Sequence, residues 1–318
     1  HVHFRDPGET EKEDFLSGSR AAAAGGVTTV IDMPNNNPPI TTLKALEEKR
    51  EIAKKSIVNY GFHFGATEDN GEEIRNAENI VGVKTVLGAT TGSLLVESDE
   101  GLGKVFSSGR RIIVHAEDTK IMQKNQELCK DEHDPSIHGK IRSNDCAAVA
   151  VERAINLAKQ HQTQLHIAHA STKEELALIA ATNEKITCEV TPHHLFLTAD
   201  AMKKLGNFAK MNPPLRSAAD VEAMWQGIAD GTVNIIATDH APHLKEEKEV
   251  NYWDAPSGVP GVETMLPLLL NAVNQEKLTI RQLVKLTAEN PAKIFGIQNK
   301  GIITEGADAD LVIVDLEK

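Results

Sequence analysis

Short apolar runs rich in β-branched residues recur along the chain at residues 1–5, 28–33, 58–64, 82–87, 111–115, 164–169, 186–190 and 234–238, and each reads as a buried strand. Longer stretches with helical spacing lie between them, at 11–24, 42–55, 146–160, 173–182 and 219–229, and are rich in Ala, Leu, Glu and Lys. Strands that alternate with helices are the pattern of repeated βα units and a parallel sheet. Eight of them close most economically into an α/β fold of the (β/α)8 TIM-like barrel type, whose active site lies at the C-terminal strand ends. The pattern predicts this barrel over residues 1–297. After a Pro/Gly-rich loop at 255–261 and further helical segments the character changes. Gly306-Ala-Asp-Ala-Asp followed by Leu311-Val-Ile-Val predicts a turn and a strand within 301–315. A closed barrel has no free edge to pair such a strand. Residues 298–318 therefore read as the remnant of a small flanking β-sandwich, and the natural chain is expected to extend before His1 and beyond Lys318.

Composition narrows the function. The 318 residues carry 46 acidic and 34 basic side chains, for a formal charge of −12. That balance argues against a nucleic-acid or anionic-membrane binder, which needs a basic surface to neutralise phosphates. The chain has no apolar run of about 18 residues that would suit a membrane span. Cys129, Cys146 and Cys188 form no Cys-x-x-Cys pair, so neither a disulfide framework nor a thiolate zinc site is indicated, and a reducing, cytoplasmic setting fits best.

The thirteen histidines are more telling. His1 and His3 stand at i and i+2, on one face of a strand and about 7 Å apart along it, where two imidazoles can converge on one ion. Taken alone, such a pair is as often two histidines on a half-exposed strand. Position changes that balance, because His115, His169 and Asp239 each follow an apolar run and so fall at the rim where a barrel places its chemistry. Four histidines and a carboxylate suit zinc or a similar divalent ion. Lys84 lies within the fourth strand, where an ammonium would be costly to desolvate and would repel metals. Either it snorkels to the surface, or it is deprotonated and captures carbon dioxide as a carbamate able to bridge two ions. The company it keeps favours the second reading.

Several other polar residues have plainer readings. His193, His194, Glu189 and Glu117 are expected to be structural or to hydrogen-bond ligands. Asp32 and His63 are expected to be buried polar groups, and His240 a structural one. His133, His138 and the run 245–249 are expected to be solvated.

Together the motifs His1-Val-His3-Phe-Arg5-Asp-Pro7-Gly8, Met33-Pro-Asn35, Gly82-Val-Lys84, His115-Ala-Glu, Pro192-His-His194-Leu and Asp239-His-Ala-Pro-His243 resemble those of the type I dihydroorotases, a branch of the cyclic amidohydrolases. The resemblance runs in order along essentially the whole chain. It implies a two-zinc barrel that catalyses the reversible cyclisation of N-carbamoyl-L-aspartate to L-dihydroorotate in pyrimidine synthesis. Carried over, it makes His1, His3 and Asp239 ligands of one metal, His115 and His169 ligands of the other, and carboxylated Lys84 the bridge. Asp239 is then also the catalytic proton carrier. Arg5, Asn35 and His243 match positions that hold the substrate carboxylate, and Asn212 a further substrate contact. Ser257 and Gly258 match a loop whose backbone meets the pyrimidine ring, and Thr90 and Thr91 a loop that closes over substrate. Two departures matter. Residues 89–92 lack the Asp-Asp-Gly that replaces the lysine bridge in some members, and Ala168 stands where others have a third-metal cysteine. The resemblance also implies a homodimer and an association with aspartate transcarbamoylase. Allantoinase or hydantoinase activity, or an inactive scaffold for that transcarbamoylase, are the competing readings. Arg5, Asn35 and His243 favour an anionic substrate over allantoin, and the full ligand set disfavours the scaffold.

Overall fold

In the computed structural model, which describes residues 1–88, 94–182 and 185–317, seven strands pair side by side in chain order, all parallel. They are β1 (Thr29–Asp32), β2 (Asn59–Gly65), β3 (Gly82–Leu87), β4 (Ile112–Ala116), β5 (Leu165–Ile167), β6 (Ile186–Val190) and β7 (Ile235–Ile236). The predicted first strand is reduced to a single residue that does the work of an edge. Val2 bridges to Asp32 at the end of β1 and to His240 just beyond β7, so the two edges of the curled sheet meet across it. The arrangement is consistent with a TIM-like barrel, with seven strands and one bridging residue in place of the eight strands expected.

Helices return the chain between strands, as parallel pairing requires. Phe15–Ala24, Leu43–Ala53, Asp99–Phe106, Lys173–Ala180 and Ala218–Asp230 begin where Asp14, Thr42, Ser98, Thr172 and Ser217 accept hydrogen bonds from the first turn. The longest, Asn144–His161, buries Cys146, Ala147, Ala150, Val151, Ala154, Ile155 and Ala158, a single stripe at helical spacing. Small side chains on that stripe let the helix lie close to the sheet. Close approach also decides Gly18, where a Cβ would lie 2.5 Å from the Phe4 ring.

The core is split by the sheet. Outward residues Val83, Leu87, Ile112, Val114, Leu165, Ile167, Cys188 and Val190 join the large cluster shared with the helices. Inside, Met33, Ile113 and Ala168 pack with Phe295, whose ring lies 5.7 Å from His63 and 5.1 Å from His166.

The predicted strand within 301–315 does not form among the described residues. Residues 311–315 pair with no sheet, and Ile313 is 99% exposed. β-branched residues favour extension, yet a lone extended segment has nothing to satisfy its backbone. The longest helix among the described residues is amphipathic, and none is long and apolar enough to cross a membrane.

Candidate active site

The C-terminal strand ends open onto a cavity lined by His3, Arg5, Asn35, Lys84, His115, His169, Asn212, Asp239, Ser257 and Gly258, with Met33, Pro34, Val86, Leu94 and Ala241 between them. His1 and His243 touch this lining from behind, His1 through His3 and Asp239, His243 through Arg5 and the Ser257 carbonyl. Thr90 and Thr91 lie outside the described residues.

Strand alternation explains most of this placement. Val2 is buried in the outer core, which turns His1 and His3 to the inner face. Val83 and Leu87 point outward on β3, so Lys84 and Val86 point into the cavity. Ile112, Val114 and Ala116 point outward on β4, leaving Ile113 and His115 inside. His169 breaks the rule, since its parity is that of outward Leu165 and Ile167. A left-handed backbone at φ 40° turns it back to the site, and Asp239 is held at φ 47°. Both conformations are uncommon for residues other than glycine and are tolerated where the surroundings enforce them.

Two groups of donor atoms result. In the first, His1 Nε2 and His3 Nε2 are 3.2 Å apart, and Asp239 Oδ1 is 3.1 Å from the one and 2.9 Å from the other. Ligands about 2.0–2.2 Å from a tetrahedral zinc lie roughly 3.3–3.5 Å from each other, so this set needs only a small expansion to hold an ion. In the second, His115 Nδ1 and His169 Nε2 are 3.2 Å apart, their rings edge to face. Lys84 is buried within the same cavity lining.

Each of three imidazoles is fixed through its other nitrogen. Glu189 takes His1 Nδ1, the Asn35 side-chain oxygen lies 2.5 Å from His3 Nδ1, and Glu117 Oε2 is 2.8 Å from His115 Nε2. Such partners set the tautomer and the direction of the free lone pair. Glu117 is itself paired with Arg142, and Glu189 Oε2 also reaches His166 Nε2 at 3.2 Å.

The electrostatics are those of a cation site. Burial pushes the His1 imidazolium down, yet Glu189 and Asp239 override it and raise its pKa to about 9. Burial would raise Asp239, but His1 and His3 hold its carboxyl well below the usual carboxylate range. Burial lowers His3 to about 4 and depresses the Lys84 ammonium, against the pull of Asp239 and Glu189. Burial would also raise Glu117, but Arg142 and His115 bring it to about 2.

The rest of the lining carries no carboxylate among the described residues. Arg5 Nε donates to the Pro242 carbonyl at 3.1 Å and Nη2 lies 3.2 Å from His243 Nε2. His138 Nε2 stands 3.0 Å from Asn212 Oδ1. His138 corrects an expectation: it is buried, not solvated, and its Nδ1 lies 2.8 Å from the Tyr252 hydroxyl. Lys248 corrects another, since this member of the 245–249 run is only 5% exposed. Both lie in stretches that contain exposed polar residues, and their burial rests on contacts outside those stretches, with Tyr252 and Met211 for His138 and Lys210 for Lys248. Asp32 is buried as expected. Its partner, the fully buried Lys49, escaped notice because lysines on an amphipathic helix ordinarily face water; Nζ lies 2.6 Å from Asp32 Oδ2 and also donates to the Met33 carbonyl, bracing the turn that carries Asn35. His240 bonds Glu13, and His194 spans Thr191 and the Pro213 carbonyl, both structural as expected.

Comparison with known proteins places this site in a family. The amidohydrolase family model matches residues 1–318, and such enzymes generally use a metal. The dihydroorotase of Methanosarcina acetivorans is 43% identical over 99% of this chain and 71% of its own length. That of Halobacterium salinarum is 43% identical over 99% of this chain and 75% of its own. Among solved structures, the L-hydantoinase (dihydropyrimidinase) of Arthrobacter aurescens superposes with a TM-score of 0.93 at 32% identity, covering 97% of this chain and 73% of that one. The hydantoinase likeness is that of a related family with the same scaffold, at lower identity than the dihydroorotases. The chain belongs to the amidohydrolase family of cyclic-amide hydrolases and, within it, to the dihydroorotases.

Proposed function

We propose that the protein interconverts N-carbamoyl-L-aspartate and L-dihydroorotate in pyrimidine synthesis, with two zinc ions and a carboxylated Lys84 completing the site. The observation that carries this reading is the meeting of two residue sets in one cavity, imidazole and carboxylate donors together with Arg5, Asn212 and the Ser257–Gly258 backbone. A substrate with an anionic carboxylate at one end and a hydrolysable ring amide at the other matches both.

In this reading His1, His3 and Asp239 hold one ion, His115 and His169 the other. Lys84, its amine carboxylated by carbon dioxide with loss of a proton, would be the residue that holds both ions. Divalent ions held there would supply Lewis acidity toward the ring carbonyl and toward water at neutral pH. Asp239, kept ionised by His1 and His3, accepts the proton of the attacking water and passes it to the departing ring nitrogen. Arg5 presents a planar fork that grips the substrate carboxylate in two places, which lysine could not reproduce. Run in reverse, the same groups expel water and close the ring. The three cysteines are all free and buried, which supports a reducing cytoplasmic setting. A homodimer and an association with aspartate transcarbamoylase complete the reading.

The test is turnover of dihydroorotate, allantoin and 5-substituted hydantoins by the zinc-reconstituted protein. Activity confined to dihydroorotate is the expected result. Activity on hydantoins or allantoin alone would replace the reading with that of a related cyclic amidohydrolase, and failure to retain zinc or turn over any of the three would indicate a scaffold.

A further inference from the structure

Two lysines are buried beside the substrate wall where, among the described residues, neither makes an ion pair. Lys248 Nζ donates to the carbonyls of Lys210 at 3.0 Å, Pro256 at 2.8 Å and Gly258 at 3.0 Å. An ammonium has three N–H donors and no acceptor, so backbone oxygens alone saturate it. Lys210 Nζ donates to the carbonyls of Tyr252 and Ala255, both at 2.6 Å, and lies 4.3 Å above the Tyr252 ring. The Lys210 carbonyl also accepts from Gly258 N at 3.0 Å. The pair therefore ties the stretch that carries Asn212 to the loop that carries Ser257 and Gly258.

The loop has little freedom to find that place by itself. Gly258 has φ 144°, and a Cβ there would lie 2.7 Å from the Ala241 carbonyl oxygen. The Ser257 carbonyl stands 3.1 Å from His243 Nε2, which in turn contacts Arg5. Burial lowers both ammoniums to about 8, a sign that the protein bears a desolvation cost at these two positions. A methionine would fill the same space without that cost, so the bonds to the carbonyls are what the lysines contribute.

We infer that Lys248, together with Lys210, is a positioning residue for substrate binding: the two ammoniums hold the 255–258 loop at the distance from Arg5, Asn212 and His243 at which its backbone meets the ring of a bound cyclic ureide carboxylate. This inference rests on the dihydroorotase reading. It assigns neither lysine a part in metal binding or proton transfer.

Lys248→Met and Lys248→Gln, assayed with dihydroorotate as zinc-reconstituted protein, test it. With uniform binding lost, KM in Lys248→Met rises about tenfold or more while kcat stays within roughly threefold. Zinc content stays at the wild-type level, and Lys248→Gln, which retains two donors, falls between. An unchanged KM in a folded variant would overturn the inference, as would a fall in kcat that tracks lost zinc. Insolubility of both variants would assign Lys248 to the fold alone and overturn it equally. Failure of the wild-type protein to turn over dihydroorotate would instead refute the reading beneath it.

Discussion

Two parts of the cavity are built on opposite electrostatic plans. On the strand-end wall, titratable side chains satisfy one another: Glu189 binds His1, Glu117 binds His115 and Asp239 lies against both His1 and His3. Around the rest of the cavity, buried cations are satisfied by backbone, with Arg5 in the lining on the Pro242 carbonyl and Lys210 and Lys248 behind it on five carbonyls in all. The first plan sets ionised carboxylates beside the imidazoles and fixes those of His1, His3 and His115 through their second nitrogens. The second uses its buried charges as tethers for loop backbone.

The comparison is broken most severely on the strand-end wall. Lys84→Ala is expected to reduce turnover by at least about 10³-fold, with partial recovery on adding short carboxylic acids that reoccupy the bridging position. Full activity in this variant would show that no bridge is needed. Asp239→Asn, assayed at saturating dihydroorotate, is expected to lower kcat by about 10²–10⁴-fold, since it alters a donor set and, on the proposed reading, the proton carrier. A loss smaller than tenfold would remove that role.

A milder change separates the donors from the groups that orient them. Glu117→Gln keeps the shape beside His115 but removes the charge that Arg142 and the imidazole share. Zinc affinity, measured by competition with a chelator, is expected to weaken about 10–100-fold with KM for substrate little altered. Unchanged affinity would mean that packing alone aims the ring. The smallest effect belongs to the rest of the cavity. Burial lowers His138 to about 3, so the unfolded chain takes up a proton below its ordinary value near 6.5 that the folded protein refuses. The stability this group protects is intact above pH 6.5 and is lost as pH falls from there toward 3. In urea unfolding, His138→Gln should therefore flatten the decline of stability below pH 6 by up to about 1.4 kcal/mol per pH unit relative to wild type. Parallel slopes would show that His138 is protonated in the folded state.

The alternation of strand and helix was legible in the chain because burial writes itself as periodicity, and the observed strands fall within or beside the predicted runs. The histidines, Lys84 and Asp239 were legible for a related reason: each is a polar residue at or inside an apolar run, an arrangement that would be costly without a use. Weak pairing was not legible. Residues 1–5 read as a strand, yet only Val2 bridges, and the apolar run at 311–314 has no sheet to join. Strand character needs a partner as well as a pattern.

By itself, then, the sequence determined the layered α/β plan, the identities of the donor residues and the rim on which they stand, since these follow from local hydrophobic order. Tertiary structure alone decided that His169 turns inward through a left-handed backbone, that Lys49, Lys210 and Lys248 are buried cations, and that His138 braces Asn212. The fate of each depends on segments far along the chain, and a charged side chain carries no local mark of whether water or a ring of carbonyl oxygens will receive it.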